Sequence, residues 1–401
     1  MTISDFQVLQ RDADGFARVI LDSGEAVQLA TGGPYDIGGA TNVLVGDLWV
    51  LAGQSNMEGV GDLADVETSH PLVHSFQSRE EWAVAEEPLH WLNESPRPIH
   101  HTIWGLPMPE APAPRDGSRA KGSGLGLTFA KTMADATGVP IGLIPAAHGG
   151  TSMQQWEPSR RHMGGDSLYG ATLARVAANG GKVAGVLWYQ GESDANPADA
   201  MLYESRMEEL VQSFRADFGQ PDLPFLLVQL GGFVTPSDLS LIDSWNAVRE
   251  SQRTLASALP HSGMVSAVDC GLDDLIHIDT AGLKSLGRRL AAAALGRPAP
   301  VLKAVSFDAP SYQIRVSFDS IEGELTALGR PAGFSLRGAD GANIPLIYKI
   351  VLEGSDAVLK LNEDPSPLGL HLWYGYGLSP YCNITDTSGA AIPAFGPVRV
   401  D

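Results

Sequence analysis

Four short clusters in this sequence hold residue types that together could carry out acyl transfer. The first is Gly53-Gln54-Ser55-Asn56-Met57. A serine behind a glycine, at the end of an apolar run, can turn its hydroxyl into a crevice while its own N–H donates to a developing oxyanion. The plainer role for such a serine is a helix N-cap. The second is Ala147-His148-Gly149-Gly150-Thr151-Ser152, whose glycines let backbone approach a ligand closely, though a Gly-Gly pair alone is an ordinary loop. The third is Trp188-Tyr189-Gln190-Gly191-Glu192-Ser193-Asp194, where the Gln190 amide can donate to an oxyanion or merely end a strand. The fourth, Asp269 to His277, ends in Asp274-Leu275-Ile276-His277. An acid three residues before a histidine can accept from Nδ1–H, which leaves Nε2 free as a base. Asp273 and Asp279 are rival acids for the same ring. No cluster suffices alone. In this order they supply a nucleophile, an oxyanion pocket and an oriented base.

The elements that must position them alternate between short apolar runs and helical spacing. Leu48 to Ala52, Val139 to Pro145, Val183 to Tyr189, Phe225 to Leu230 and Met264 to Val268 read as strands buried on both faces. Leu127 to Ala136, Leu168 to Ala178, Ala200 to Phe218, Leu241 to Leu259 and Leu283 to Leu295 read as helices. Alternation of this kind predicts an α/β domain with a parallel sheet, whose ligands bind at the carboxyl ends of the strands. All four clusters follow such ends. Ahead of this domain, Phe16 to Leu21, Ala26 to Leu29 and Asn42 to Val45 read as β, so residues 1–46 form an N-terminal β-segment. The α/β domain runs over 47–297. Within it, 61–120 is an irregular insertion over the site, rich in Trp, His and Pro (Pro107, Pro109, Pro112, Pro114). After Arg297-Pro298-Ala299-Pro300 helical periodicity stops, and 301–401 reads as an all-β module expected to pack with the N-terminal segment.

Composition excludes several classes. The 401 residues carry 27 Lys plus Arg against 47 Asp plus Glu, a net charge of −20. That argues against nucleic acid or an anionic membrane as a partner, since both need a basic face. At 44% hydrophobic and 18% charged, the chain has ample apolar surface to fold. No run is long enough for a membrane span. The start has no signal-peptide pattern, so cytoplasmic is the default location, with secretion or a periplasmic site open if a leader was removed. Cys270 and Cys382 fall in different modules and read as two free thiols. His74, His90, His100 and His101 lack supporting carboxylate spacing, so neither a metal nor another cofactor is expected, and they read as lid or solvated residues.

The four clusters resemble the four blocks of the SGNH (GDSL-like) hydrolases. The likeness is closest to the carbohydrate acetylesterase branch that includes sialate O-acetylesterases and acetylxylan esterases. Val45-Gly46-Asp47-Leu48-Trp49, Gly33-Pro34-Tyr35, Trp373-Tyr374-Gly375-Tyr376 and Pro393-Ala394-Phe395 extend the resemblance to nearly the whole chain. It implies a three-layer α/β/α domain with a β-rich accessory module, and a metal-free serine esterase. Ser55 would be the nucleophile, His277 the base and Asp274 its orienting acid. Ser55, Gly150 and Gln190 would hold the oxyanion, and Gln54, Asn56 and Glu192 would support them. Ile278 stands where sialate acetylesterases often have proline.

The expected substrate is an acetylated carbohydrate: polysaccharide, oligosaccharide or sialic acid. A sialate enzyme needs an arginine near the pocket, for which Arg79, Arg97 and Arg115 are the candidates; the charge of −20 leans toward a neutral glycan. Trp82, Trp91, Trp104 and Trp156 could stack on sugar rings or pack in the core. Other classes are a carbohydrate-binding protein, to which the C-terminal module could contribute, and a lipase or thioesterase, which would need a long apolar groove.

Overall fold

A computed structural model describes residues 3–111, 115, 117–235 and 239–400. Pro112 and Pro114 of the expected insertion, and the extreme ends of both β-segments, lie outside the described residues.

The core is one sheet of nine strands. Its main path runs Ser262–Ser266, Phe225–Gln229, Gly185–Tyr189, Ala40–Gly53, Ile141–Pro145, Val73–Phe76, Trp82–Val84. All neighbours along it are parallel except the last pair. The strands Phe225–Gln229, Gly185–Tyr189 and Ile141–Pro145 are buried throughout, which matches their unbroken apolar character.

Helices cover both faces. They are α1 (Ser55–Glu58), α2 (Ile99–Thr102), α3 (Gly126–Thr137), α4 (Leu168–Ala178), α5 (Tyr203–Asp217), α6 (Ile242–Ala258) and α7 (Thr280–Ala294). α3 packs against α7, and α5 against α6. Close approach needs glycine at the α3–α7 contact: a Cβ on Gly287 would lie 2.6 Å from the Leu125 carbonyl oxygen. Asp279 starts α7 by accepting from the Gly282 N–H at 2.6 Å, a cap of the kind that contributes about 1 kcal/mol.

Two sequence expectations change. The runs Asn42–Val45 and Leu48–Ala52 are halves of one strand of 14 residues, Ala40–Gly53. Its first half pairs with Val8–Gln10 and Gly32–Ile37, and its second half with the core strands. Val8–Gln10 and Gly32–Ile37 therefore extend the core sheet through its central strand, while Phe16–Ile20 and Ala26–Ala30 form a separate antiparallel pair; among the described residues none of them pairs with a C-terminal strand. The segment expected to be irregular also supplies two core strands, Val73–Phe76 and Trp82–Val84. At four and three residues, with His74 and Ser75 inside, they are too short and too polar to show an apolar period.

The C-terminal region is β-rich, with antiparallel sheets around its own core of Ile314, Val316, Leu336, Leu359, Leu372 and Tyr374. Its seam with the α/β core explains both closing motifs. Buried Arg249 on α6 donates to the carbonyls of Leu230 and Gly231 on one side, and of Gly375, Gly377 and Leu378 on the other. Gln229 exchanges two 2.8 Å hydrogen bonds with the Ala394 backbone. Cys270 and Cys382 are free thiols, and burial pushes each up to about 12. Among the described residues, no helix is long and apolar enough to cross a membrane.

Candidate active site

Register brings three clusters to one edge. Gly53 is opposite Tyr189, and Leu51 opposite Pro145, so residues 54–57, 146–152 and 190–194 emerge side by side. The chain passes to one side of the central strand, returns, and crosses to the other, so this edge is the switch point where open α/β sheets bind ligands. Gly53 (φ +132°) is required there: a Cβ would lie 2.1 Å from the Tyr189 carbonyl oxygen.

Ser55 opens α1 and is half-buried. Gln54, one residue before it, is buried and accepts weakly from the N–H groups of Gly191 (3.4 Å) and Ser193 (3.3 Å), stitching the serine turn to the third cluster. Asn56, one residue after it, reaches the fourth cluster. Its Oδ1 accepts from the Ile278 N–H at 2.9 Å, and its Nδ2 donates to Glu192 at 2.7 Å and to the Ile276 carbonyl at 3.4 Å. Asn56 thus holds the residues on both sides of His277 and sets that loop beside Ser55. Burial raises the Glu192 carboxyl, and the Asn56 amide draws it back down.

The histidine has one partner acid by geometry. The Asp274 Oδ2 lies 2.7 Å from His277 Nδ1. A carboxylate accepts, so Nδ1 carries the proton and Nε2 is left as the acceptor. Asp274 Oδ1 accepts the N–H groups of Ile276 and His277, each at 2.9 Å. Its slight burial raises the carboxyl, but the hydrogen bonds from His277 and Ile276 outweigh that and hold it at about 2. Asp273 instead accepts from the Asp62 N–H and Lys121, and Asp279 caps α7.

The glycine cluster sits directly over Ser55. A Cβ on Gly149 would come 3.4 Å from the Ser55 Cβ, and the Gly149 N–H donates to Glu58 at 2.7 Å. Gly150 follows with φ +67°. Among the described residues, the N–H groups of Ser55 and Gly150 have no protein acceptor. Gln190 differs from expectation. It is fully buried, and its amide donates to the Thr151 carbonyl at 2.9 Å and to Asp194 at 2.6 Å. With both N–H groups engaged, it positions the glycine loop and has no donor left for an oxyanion.

A cleft of about 670 Å³ opens beside this loop, lined by Glu58, Trp91, His100, Trp104, Arg119 and His148 among others. Trp104 is 58% exposed, and its indole leans over Gly150, 3.2 Å from where a Cβ would stand. The guanidinium groups of Arg115 and Arg119 each lie 5.1 Å from the Trp91 ring. Trp82 and Trp156 are core residues: they are buried, and their Nε1–H groups donate to Asn179 and Thr151. The three expected arginines are all ion-paired, Arg79 with Glu81, Arg97 with Glu80 and Arg115 with Glu94. Arg119, which the sequence reading passed over, is the one that lines the cleft. It donates to the carbonyls of Lys121 and His90.

Histidines fasten the insertion to the glycine loop. His100 on α2 stacks on His148, their Nδ1 atoms 3.1 Å apart, one donating and the other accepting. His90 accepts from the Ala147 N–H at 3.3 Å. His74 is buried against the Phe6 carbonyl, and His101 bonds the Ser95 carbonyl. Among the described residues no cluster of three or more His, Cys, Asp or Glu could hold a metal ion. His148 sits within a quoted motif and Glu58 directly follows one, yet only folding shows their partners.

Two expected results follow. Asn56→Ala removes its two hydrogen bonds to the His277 loop and leaves Glu192 buried without its Asn56 partner. Its kcat for ester hydrolysis should fall roughly 10- to 100-fold, the ordinary cost of losing a supporting contact. Unchanged kcat in a folded variant contradicts this role. The second concerns pH. Burial pushes His148 down to about 4, His90 down to about 3, and His100 well below 6.5. Neighbouring charges on these rings are Arg175, Arg119 and His101, all of which lower them further. At His148 and His90 the unfolded chain binds the proton near pH 6.5 and the folded one only near 4 and 3, so their stabilising contribution is full above about 6.5 and falls as pH drops toward 4. A melting temperature that stays flat across that window contradicts it.

Residues 45–296 match the family model described as carbohydrate esterase, sialic acid-specific acetylesterase. A probable carbohydrate esterase of Arabidopsis thaliana is 30% identical over 265 residues, 62% of this chain and 90% of that protein. The sialate O-acetylesterase of Homo sapiens is 26% identical over 269 residues, 57% of this chain and 48% of that protein, so the match spans about half of that relative. A solved carbohydrate acetylesterase from Xanthomonas citri superposes with a TM-score of 0.71 at 25% identity, covering 99% of this chain and 98% of that one. The family match covers well over half of the sequence, so the chain belongs to the carbohydrate esterase family of sialic acid-specific acetylesterases and is a carbohydrate esterase of the three-layer α/β type.

Proposed function

We propose that this esterase removes O-acetyl groups from a neutral glycan through an acetyl-enzyme on Ser55. Ser55 Oγ attacks the acetyl carbonyl carbon while His277 Nε2 takes the hydroxyl proton. The carbonyl oxygen becomes an oxyanion and accepts from the N–H groups of Ser55 and Gly150, donors of a kind each worth roughly 3–4 kcal/mol of barrier. The carbon–oxygen bond to the sugar then breaks, and the departing oxygen takes the proton from Nε2. Water repeats the attack with the same base, and acetate leaves. Asp274 keeps the proton on Nδ1 throughout. The observation that carries this reading is the Asp274–His277 pair, which Asn56 holds beside Ser55 under a glycine loop with open N–H groups.

The cleft supports the neutral glycan. Trp91 and Trp104 offer apolar ring surface, and Glu58 and Glu94 line the same walls. Arg119 favours a second reading, an acidic acetylated sugar such as a sialic acid. Two of its N–H groups, on Nε and Nη1, are already engaged by backbone carbonyls, and its guanidinium lies 5.1 Å from the Trp91 ring, which argues for a structural role. Acetate release over acetylated xylan, mannan, xyloglucan and O-acetyl sialic acid separates the two. The proposal expects kcat/KM to be highest on a neutral glycan and little altered in Arg119→Ala. A preference for the sialic acid that Arg119→Ala abolishes favours the second reading.

A further inference from the structure

A second cleft of about 540 Å³ lies where the C-terminal module meets α6, well within the size of small-ligand sites. Its walls include Asp243 from α6 and Asp340, His371, Trp373 and Tyr376 from the module. Near it, Arg249 and the Asn246 side chain, which accepts from the Gly377 N–H at 3.0 Å, join the module to α6.

The aromatic pair is rigid before any ligand arrives. Trp373 and Tyr376 meet edge to face at 5.0 Å. The Arg337 guanidinium sits 3.4 Å from the Tyr376 ring centre, and Gly396 packs flat on the indole, where a Cβ would lie only 2.5 Å away. Both rings are nonetheless only half-buried. Among the described residues, the Trp373 Nε1–H, the Tyr376 hydroxyl, the His371 ring and the Asp243 carboxylate have no hydrogen-bond partner. Fixed aromatic surface ringed by unengaged donors and acceptors suits a pyranose, whose C–H face stacks and whose hydroxyls bond outward. Two carboxylates, Asp243 and Asp340, accept from hydroxyl groups and repel anions.

We propose that this cleft is a carbohydrate-binding subsite, distinct from the cleft beside the glycine loop, that holds a pyranose unit of a neutral glycan. The segment after Phe225–Gln229 ties the two regions together: the Val234 N–H donates to the Leu275 carbonyl in the histidine loop, and the Phe233 N–H to Leu378, two residues past Tyr376. One polysaccharide held at the subsite therefore raises the local concentration of its acetyl groups near Ser55. The inference rests on the proposed function only for the class of ligand.

The test separates binding from chemistry. Affinity electrophoresis of the full chain as Ser55→Ala, against unacetylated xylan, xyloglucan and mannan, should show retardation by at least one of them. Adding Trp373→Ala or Asp243→Ala should weaken that binding roughly tenfold. Trp373 also packs in the module, so exposed Asp243 serves as the variant that leaves folding intact. With Ser55 present, both variants should keep wild-type hydrolysis of 4-nitrophenyl acetate while KM rises on the acetylated polymer. No retardation by any neutral glycan, retardation unaffected by both substitutions, or retardation only by an acidic glycan overturns the subsite. Loss of 4-nitrophenyl acetate hydrolysis in Ser55→Ala is read separately and bears on the catalytic proposal alone.

Discussion

Ser55→Ala is expected to lower kcat/KM for acetate release by roughly five to six orders of magnitude, the cost of removing a nucleophile from a cooperating set. The remaining machinery cannot replace it. With the hydroxyl gone, His277 has no proton to take at the carbonyl, and a water in its place has neither the fixed position nor the covalent route of Oγ. Folding should be untouched, because Asn56 and Gln54, not the serine hydroxyl, make the contacts that join the clusters. Initial rates on 4-nitrophenyl acetate and on an acetylated glycan measure the loss, and mass spectrometry of quenched wild-type reactions should show the acetyl group on Ser55. Turnover within about tenfold of wild type in a folded variant removes Ser55 as the nucleophile.

Asp274→Asn should cost roughly 10⁴-fold in kcat, more than a charge change on a half-exposed side chain would suggest. The geometry gives the reason. Oδ1 of residue 274 faces two N–H donors, from Ile276 and His277, so an asparagine places its carbonyl oxygen there. Its NH₂ then occupies the Oδ2 position, 2.7 Å from His277 Nδ1. Two donors cannot face each other, so the ring takes the other tautomer, and Nε2 carries a proton when it should accept one. Asp273→Asn is the matched control. Asp273 accepts from Asp62 and Lys121, so its loss should change kcat by no more than about tenfold. Equal losses in the two variants contradict the assignment of Asp274. Acid adds a second readout. The Asp274 carboxyl is held at about 2 in the folded chain and titrates near 3.9 when unfolded. Its stabilising contribution is complete above about 3.9 and is lost as pH falls through 2. Asp274→Asn should accordingly flatten the acid limb of the melting curve below pH 4.

Much of the α/β core was legible because parallel strands buried on both faces read as unbroken apolar runs, as in Val186-Leu187-Trp188 and Leu226-Leu227-Val228. The strand Val73–Phe76 was not, since a four-residue strand with two polar residues carries too little signal in any local window. The site behaved the same way. Ser55, His277 and Asp274 stand out because a glycine-flanked serine and an Asp-x-x-His are local patterns. The engagement of Gln190 by Thr151 and Asp194, the pairing of His100 with His148 and the placement of Arg119 are contacts between residues far apart in sequence.

By itself, then, the sequence determined the residue types of the proposed acyl-transfer site, the strand ends that carry them and a net charge of −20. Tertiary structure decided which of those groups remain open to a substrate. A donor's role depends on whether another acceptor has already claimed it. Two buried acceptors hold the Gln190 amide, which was expected in the oxyanion pocket, and carboxylates pair with Arg79, Arg97 and Arg115, which were expected as partners for an acidic sugar. The Ser55 and Gly150 N–H groups stay open because a register of strands brings a serine turn beneath a glycine loop, a relation that no stretch of sequence contains.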